Sequence, residues 1–278
     1  MIPRECRGQR GRRIVGAVGN GEVAPDTEDR SVLTKVAPAP NSAIAYGPLP
    51  DQVADCFFSA DLGLLAARPL LLLIHGGYWR PRFDREHLRT FAAALADAGW
   101  QVASIEYRRI PGDPDAMVAD VRAAIENLPD QIAGHNGQVI IIGHSAGGHL
   151  ALWAAAQVAL AEASRTQITG VIALAAVSDL ELAQHLDLND GGVRDFLGCP
   201  AQERADLNPM HLPPLCPVTC LHGNLDSLVP IELSRNYVAT HAVGNVNLIE
   251  IEGIAHFELI DPSSIAWPAV LDALRSIG

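Results

Sequence analysis

Short apolar runs alternate with amphipathic helical patterns from about residue 40 to the C-terminus. Several runs, such as residues 138–142, are apolar at almost every position, which is typical of strands covered on both faces. Strand–helix alternation of this kind predicts an α/β fold in which a mostly parallel sheet is flanked by helices. The predicted strands cover residues 70–75, 101–107, 138–142, 170–177, 217–221 and 246–251.

Capping residues mark the ends of the predicted helices. Asp84 stands where it can cap one helix, and Gly99 stands where that helix must end. Asp113 and Pro114 supply the N-cap and the first turn of the next helix. Two further helices are predicted over residues 146–160 and 265–277.

Residues 178–214 interrupt the alternation of strands and helices. This segment contains no clear strand and mixes polar with apolar positions. A compact α/β domain rarely carries so long an irregular insertion without a function. We therefore predict a small helical cap insertion over about 178–214, lying over the active-site end of the sheet.

The first 30 residues differ from the rest of the chain. They begin with a cluster of arginines, and the apolar stretch that follows stops at Asn20, which is too short for the core of an export signal. We therefore predict a disordered N-terminal extension over residues 1–30 and one folded domain over residues 31–278. We also expect the residues before about Ala43 to be dispensable for catalysis, because they carry no motif.

Charge and composition narrow the class of partner. The formal net charge is −12, and an acidic surface repels phosphate backbones, so we expect no nucleic-acid partner. The apolar runs are far shorter than the roughly 20 residues of a membrane-spanning helix, so we expect no membrane partner. The five cysteines show neither metal-binding nor disulfide-like spacing, which favours reduced thiols and a cytoplasmic protein.

Residues 143–147 read Gly-His-Ser-Ala-Gly and lie between a strong predicted strand and a strong predicted helix. This is the context of a nucleophile elbow, a tight turn that exposes a serine hydroxyl. Gly143 and Gly147 relieve crowding around the turn, and the helix N-terminus favours developing negative charge. The pattern predicts Ser145 as a catalytic nucleophile.

A serine hydroxyl needs a base to remove its proton. In elbow-type hydrolases the acid and the base follow the serine, each after a later strand. Asp226 and His256 occupy these positions, so we predict His256 as the general base and Asp226 as the carboxylate that orients it. Asp179, at the end of the preceding strand, is the rival acid. The histidines set aside as bases are His75, His144, His149 and His222.

Residues 75–79 read His-Gly-Gly-Tyr-Trp and follow another predicted strand. The two glycines bring bare backbone N–H groups near the nucleophile. The N–H groups of Gly76, Gly77 and Ala146 therefore form a candidate oxyanion hole. Three aromatic residues adjoin the site and suit an aryl-binding surface, although they are equally suited to packing the loops that hold it. They are Tyr78, Trp79 and Phe257.

These motifs give the chain a family resemblance. From about Ala43 to the C-terminus it resembles the hormone-sensitive-lipase-like group of α/β-hydrolases. Residues 75–79, 143–149 and 256–258 are similar to the kynurenine formamidase (arylformamidase) branch and its esterase relatives. The resemblance implies a Ser145–Asp226–His256 triad and neither a metal nor an organic cofactor. The chain departs from related esterases, which often have Asp where His144 stands.

Three functions remain open from the sequence. The first is hydrolysis of an aryl formamide, with N-formylkynurenine as the leading substrate. The second is a carboxylesterase acting on short-chain acyl or aryl esters, with the same acyl-enzyme mechanism. The third is a catalytically silent hydrolase fold that binds a partner, which the presence of both Ser145 and His256 disfavours. The expected partner is a small-molecule ester or amide. A homodimer is one assembly that the sequence allows.

Overall fold

An eight-stranded sheet is the centre of the fold. The computed structural model describes residues 28–60, 68–157 and 167–277. Numbered in chain order, the strands are β1 Ser42–Ala45, β2 Val53–Phe57, β3 Leu70–Ile74, β4 Gln101–Ile105, β5 Gln138–His144, β6 Gln167–Leu174, β7 Val218–Gly223 and β8 Val246–Ile251.

The order of strands across the sheet is β1-β2-β4-β3-β5-β6-β7-β8. Strand β2 pairs antiparallel with β1 and β4, and every other neighbouring pair is parallel. The prediction of a mostly parallel α/β sheet is confirmed. Because the carboxyl ends of parallel strands meet at one edge, the loops that follow β3, β5, β7 and β8 come together there.

The described residues form seven α-helices. Asp84 accepts a hydrogen bond from Glu86 N at the start of a short 3₁₀ turn that leads into the first α-helix, and Asp113 accepts one from Ala116 N at the second. Both residues therefore cap helices, as we predicted. The helices are α1 Arg89–Asp97, α2 Pro114–Asn127, α3 Ala146–Ala155, α4 Leu180–His185, α5 Gly192–Leu197, α6 Glu232–Thr240 and α7 Trp267–Ile277.

The sheet separates two hydrophobic cores. In β3, Leu72 packs with the core under α2 and α3, whereas Leu71 and Leu73 pack with the core under α1 and α7. All five residues of β3 are buried. Its unbroken apolar run therefore reflects a strand with a hydrophobic core on each side.

Some elements differ from the prediction. The sequence pattern did not predict β1, β2 or α6. The residues of β1 alternate between half-buried and exposed at the sheet edge, so they carry little hydrophobic signal. The predicted helix from residue 146 ends at Ala155, and residues 158–166 lie outside the described residues.

The chain between β6 and β7, which we predicted as a cap insertion, forms four short helical segments. They are α4, α5 and two 3₁₀ turns at Ala201–Arg204 and Pro209–His211. Residues 1–27 of the predicted extension lie outside the described residues, but Glu28 is buried. Among the helices that the structure describes, none is both long and apolar enough to cross a membrane.

The turn between β5 and α3 lies against the end of β3. A Cβ atom added at Gly147 would lie 2.1 Å from Ile74 O, and one added at Gly143 would lie 2.1 Å from Gly147 O. Each clash involves a backbone atom, so no side-chain rotation relieves it. These glycines are therefore required by the close approach of two backbone segments.

We expect Gly147→Ala to lower the free energy of unfolding by about 1–3 kcal/mol or more, because the added methyl group forces β3 and α3 apart. The measurement is urea or thermal unfolding of the purified protein. Gly244→Ala is the control, since a Cβ there would lie no closer than 3.4 Å to a neighbouring atom. Equal stability of the two variants would contradict the close approach.

Candidate active site

Ser145 lies on a strained turn at the carboxyl end of β5. Its φ of 58° and ψ of −119° are unusual for a residue with a side chain. The turn is held because Ser145 N donates to Leu174 O at 2.8 Å and His149 N donates to Ser145 O at 3.1 Å. Ser145 therefore stands at the N-terminus of α3, as the motif predicted, and its side chain lines a pocket.

Asp226 and His256 form a buried pair in the loops after β7 and β8. His256 Nδ1 donates to Asp226 Oδ2 at 2.7 Å, an assignment that follows because a carboxylate only accepts. The other carboxylate oxygen, Oδ1, accepts from Leu228 N at 2.9 Å and Val229 N at 2.8 Å. His222 Nε2 lies 3.2 Å from Asp226 Oδ2. The acid is therefore held by its own loop as well as by two histidines.

The charge of Asp226 is set by competing effects. Burial alone raises the pKa of this carboxyl group. The positive charge on His256 and the hydrogen bonds from His222 and His256 outweigh burial and hold the pKa of Asp226 well below its ordinary value. Asp226 is therefore ionised, and it fixes His256 in the tautomer that carries a proton on Nδ1.

In its neutral form, the ring of His256 therefore has a lone pair on Nε2. His256 lines the same pocket as Ser145. Among the described contacts, none is a hydrogen bond between Ser145 Oγ and His256 Nε2. Such catalytic contacts are often long without substrate and shorten when it binds.

The rival acid has a different task. Asp179 Oδ1 accepts hydrogen bonds from Glu181 N and Leu182 N, each at 3.0 Å, and so caps α4. Its carboxylate is directed at a helix terminus and not at His256. The partner of His256 is therefore Asp226.

Two of the histidines that we set aside as bases support backbone near the site. His144 Nε2 donates to His256 O at 3.1 Å, and the two rings lie 4.5 Å apart. His149 Nε2 donates to Leu207 O at 2.8 Å. Burial and the nearby charge of His256 hold the pKa of His144 well below its ordinary value, so its ring stays neutral. The sequence carried no signal for the support that His144 gives to the loop of His256.

The loop after β3 touches Ser145. A Cβ atom added at Gly76 would lie 2.8 Å from His144 O and 2.9 Å from Ser145 Cβ. His75 Nδ1 donates to Gly76 O at 2.8 Å. Because the C=O and N–H of a trans peptide point in opposite directions, this bond turns the N–H of Gly77 away from His75.

His75 is itself held in place from several sides. Its ring is stacked on Tyr107 at a centroid distance of 4.4 Å, and Arg109 Nη1 lies 3.1 Å from Nε2. Burial and the charge of Arg109 lower the pKa of His75 to about 3, so the ring is neutral. Because Gly76 O only accepts, the proton of the neutral ring is on Nδ1. Nε2 accepts from Arg109 and also lies 3.0 Å from Glu106 Oε1, with which Arg109 forms an ion pair. The sequence indicated only that His75 holds a loop by hydrogen bonds.

The pocket beside Ser145 has a volume of about 80 Å³. Tyr78 and Phe257 line it, as expected for the aromatic residues at the mouth, and Asn189 reaches it from the predicted cap. Trp79 is not part of its lining. The Trp79 ring instead stacks on Phe196 at 4.4 Å and is buried in the core, so we no longer assign it to substrate.

Residues that we placed outside the site also line this pocket. Arg30 and Leu33 form part of its wall, and Glu28 accepts a hydrogen bond from His256 N. The boundary predicted at residue 31 is therefore too late by at least three residues. Our expectation that all residues before Ala43 are dispensable is at odds with these contacts. No motif marks these positions, because their role depends on where the chain lies in space.

Two features of the site define its class. A serine at a strand–turn–helix elbow and an Asp–His pair after two later parallel strands are the arrangement of an α/β-hydrolase. The chain belongs to the BD-FAE family, whose model matches residues 64–240. This match includes Ser145 and Asp226 and ends before His256. The predicted resemblance to the hormone-sensitive-lipase-like α/β-hydrolases is confirmed.

Known proteins resemble this chain over different lengths. It is 28% identical to Esterase LipC of Mycobacterium tuberculosis over 246 residues, which make up 78% of this chain and 60% of LipC. It is 36% identical to kynurenine formamidase of Danio rerio over 84 residues, which make up 30% of this chain and 28% of that protein. The chain thus matches less than two thirds of the length of either relative.

The crystal structure of Esterase B from Lactobacillus rhamnosis has the same fold. It superposes with a TM-score of 0.71 at 20% identity, covering 89% of this chain and 88% of that chain. At this identity the likeness concerns the fold. In residues 28–60, 68–157 and 167–277, no group of three His, Cys, Asp or Glu side chains is arranged to hold a metal ion.

Buried histidines make the fold sensitive to acid. Burial lowers the pKa of His75 to about 3 and that of His149 to about 4, and the pKa of His144 is also lowered. In the unfolded chain these side chains titrate near about 6.5. Below that pH the unfolded state binds more protons than the folded state, so the free energy of unfolding falls by about 1.4 kcal/mol per proton and pH unit.

We expect the free energy of unfolding, measured by urea titration, to fall steeply between pH 6.5 and pH 4.5. His149→Gln retains an N–H donor for Leu207 O but does not titrate. It should reduce the proton uptake on unfolding by about one proton at the low end of this range. The same pH dependence in His149→Gln and in the wild type would contradict a buried, neutral His149.

Proposed function

We propose that this protein is a serine carboxylesterase that acts on small acyl esters through Ser145, His256 and Asp226. The observation that carries the proposal is the 2.7 Å contact between His256 Nδ1 and Asp226 Oδ2 in a site that shares one pocket with Ser145. The similarity to LipC and Esterase B, both named as esterases, supports the same reaction class.

The reaction begins when Ser145 Oγ attacks the carbonyl carbon of the ester. His256 Nε2 takes the hydroxyl proton, and ionised Asp226 stabilises the imidazolium. The tetrahedral intermediate collapses as the bond between the carbonyl carbon and the alcohol oxygen breaks. His256 gives its proton to the departing oxygen, which leaves an acyl group on Ser145.

Water then completes the cycle. His256 Nε2 takes one proton from a water molecule, and the hydroxide attacks the acyl carbon. The bond to Ser145 Oγ breaks, and the proton on His256 returns to that oxygen. The products are a carboxylic acid and the regenerated enzyme, so no other reactant is needed.

The oxyanion formed in both steps is assigned to the backbone N–H groups of Gly76, Gly77 and Ala146. His75 supports this assignment, since its bond to Gly76 O turns the N–H of Gly77 to the opposite side of the peptide. Ala146 N lies at the N-terminus of α3, where the helix dipole favours negative charge. Preorganised donors of this kind supply a large part of catalysis in acyl transfer.

The second candidate is an arylformamidase, with N-formylkynurenine or a related aryl formamide as substrate. The aromatic wall made by Tyr78, Phe83 and Phe257 favours it, as does the 84-residue similarity to kynurenine formamidase. The mechanism is unchanged except that the leaving group is an amine. We further propose that residues 178–214 form the cap of this site. A cytoplasmic location and a homodimer stay predictions.

We expect Ser145→Ala to lose at least about 10⁴-fold in turnover of p-nitrophenyl acetate, because the nucleophile is gone. A fluorophosphonate probe should label the wild type once per chain and leave Ser145→Ala unlabelled. Thermal unfolding controls for folding of the variant. Full activity of a folded Ser145→Ala sample would remove Ser145 from the mechanism.

The choice between the two substrates rests on the acyl side of the pocket. We expect kcat/KM for a series of phenyl esters to be highest at acetyl or butyryl and to fall for long acyl chains, because side chains such as Tyr78 and Asn189 wall the pocket beside Ser145. One misplaced methyl group costs about 10- to 200-fold in specificity. The measurement compares formyl, acetyl, butyryl and octanoyl derivatives of one phenol and of one aromatic amine.

Each outcome of this panel has a distinct meaning. Cleavage of short esters without amide cleavage supports the carboxylesterase. A steep fall after formyl in both the ester and the anilide series supports the arylformamidase instead. Absence of all turnover, in a protein that the fluorophosphonate probe does not label, contradicts both.

A further inference from the structure

We infer that Glu28 is a positioning residue that ties the loop of Asp226 to the loop of His256. This inference rests on the proposed function, because positioning matters only if the pair is catalytic. Glu28 precedes every motif in the chain, and it is 8% exposed. A buried carboxylate needs compensating donors, so the groups that it contacts are informative.

The carboxylate of Glu28 accepts hydrogen bonds from both loops. Oε1 accepts from Ser227 N at 2.8 Å and from Ser227 Oγ at 2.9 Å. Oε2 accepts from His256 N at 2.9 Å. Ser227 directly follows Asp226, so one oxygen holds the acid loop and the other holds the base loop. Hydrogen bonds to a charged acceptor are about twice as strong as neutral ones.

His256 is thereby held at three points. Its ring is bonded to Asp226, its carbonyl accepts from His144 Nε2, and its backbone N–H donates to Glu28. The first contact sets the tautomer of the ring. The other two restrain the backbone from which the ring projects, and only Glu28 also reaches the chain beside Asp226 at Ser227.

The segment that carries Glu28 has its own anchors. Val32, in the 3₁₀ turn Ser31–Thr34, is buried in the core under α1 and α7. Lys35 Nζ donates to Asp261 Oδ2 at 2.6 Å and to Ser263 Oγ at 3.0 Å. Replacing Glu28 therefore leaves the segment attached, so its effect on the two loops can be measured separately from undocking.

The structure also separates positioning from substrate binding. Arg30 and Leu33 line the pocket of Ser145, whereas Glu28 is not among its lining residues. Loss of Glu28 should therefore lower kcat and change KM little.

Glu28→Gln is the sharpest variant, because its side chain keeps its size but has one acceptor oxygen. The amide can accept from the backbone N–H of Ser227 or from that of His256, and its NH₂ group faces the other donor. Glu28→Ala removes both contacts. Asp29→Asn is the matched control, since it makes the same acid-to-amide change at an exposed neighbour whose side-chain oxygen still accepts from Ser31 N.

We expect kcat for p-nitrophenyl acetate to fall about 10- to 100-fold in Glu28→Gln and Glu28→Ala, with KM within about threefold of the wild type. In Asp29→Asn, both kcat and KM should stay unchanged. Amide hydrogen exchange should speed up at Ser227 or His256 in Glu28→Gln and at both in Glu28→Ala. All proteins should be full-length and checked by thermal unfolding.

Several results would overturn the inference. They are an unchanged kcat in Glu28→Gln, a rise in KM at constant kcat, and unchanged exchange at Ser227 and His256. A loss of kcat in Glu28→Ala together with normal behaviour of Glu28→Gln would mean a packing role alone. If the wild type turns over no ester or amide, the proposed function fails, and the exchange data still decide whether Glu28 ties the loops.

Discussion

The tight turn between β5 and α3 is the constraint on which the rest of the site depends. Gly147 has no room for a side chain because it lies against the end of β3, and Gly143 has none because it lies against Gly147 in the same turn. Ser145 sits between them in a strained conformation that exposes its hydroxyl to the pocket. The loop after β3 is in contact with the same turn, so packing of β3 against β5 brings the candidate oxyanion donors beside the nucleophile.

At the carboxyl edge of the sheet, an ionised carboxylate lies among several neutral histidines. Asp226 is ionised because His222 and His256 outweigh the effect of burial. His75 and His144 are buried among groups that keep them neutral, and each donates its N–H to a backbone carbonyl. Fixed dipoles and the carboxylates of Asp226 and Glu28 therefore contact His256, which leaves its ring as the group suited to exchange protons with substrate.

Much of this arrangement was predictable, because it follows from local patterns. The apolar runs indicated the parallel sheet, and the glycines around Ser145 indicated the elbow. The order of Ser145, Asp226 and His256 after successive strands placed them at one edge. Asp84 and Asp113 marked helix starts through hydrogen bonds within three residues. Each inference needed only short-range periodicity or the rule that parallel strands end on the same side.

The sequence by itself thus determined the fold class, the elbow and the candidate triad. Only the tertiary structure decided which residues hold them. Glu28 lies 228 positions before His256 along the chain, and His144 lies 112 before it, yet both bond to its backbone. The tertiary structure also shows that Trp79 does not line the pocket, since its ring stacks on Phe196 in the core. Such contacts leave no periodic trace, because they form only when distant segments pack together.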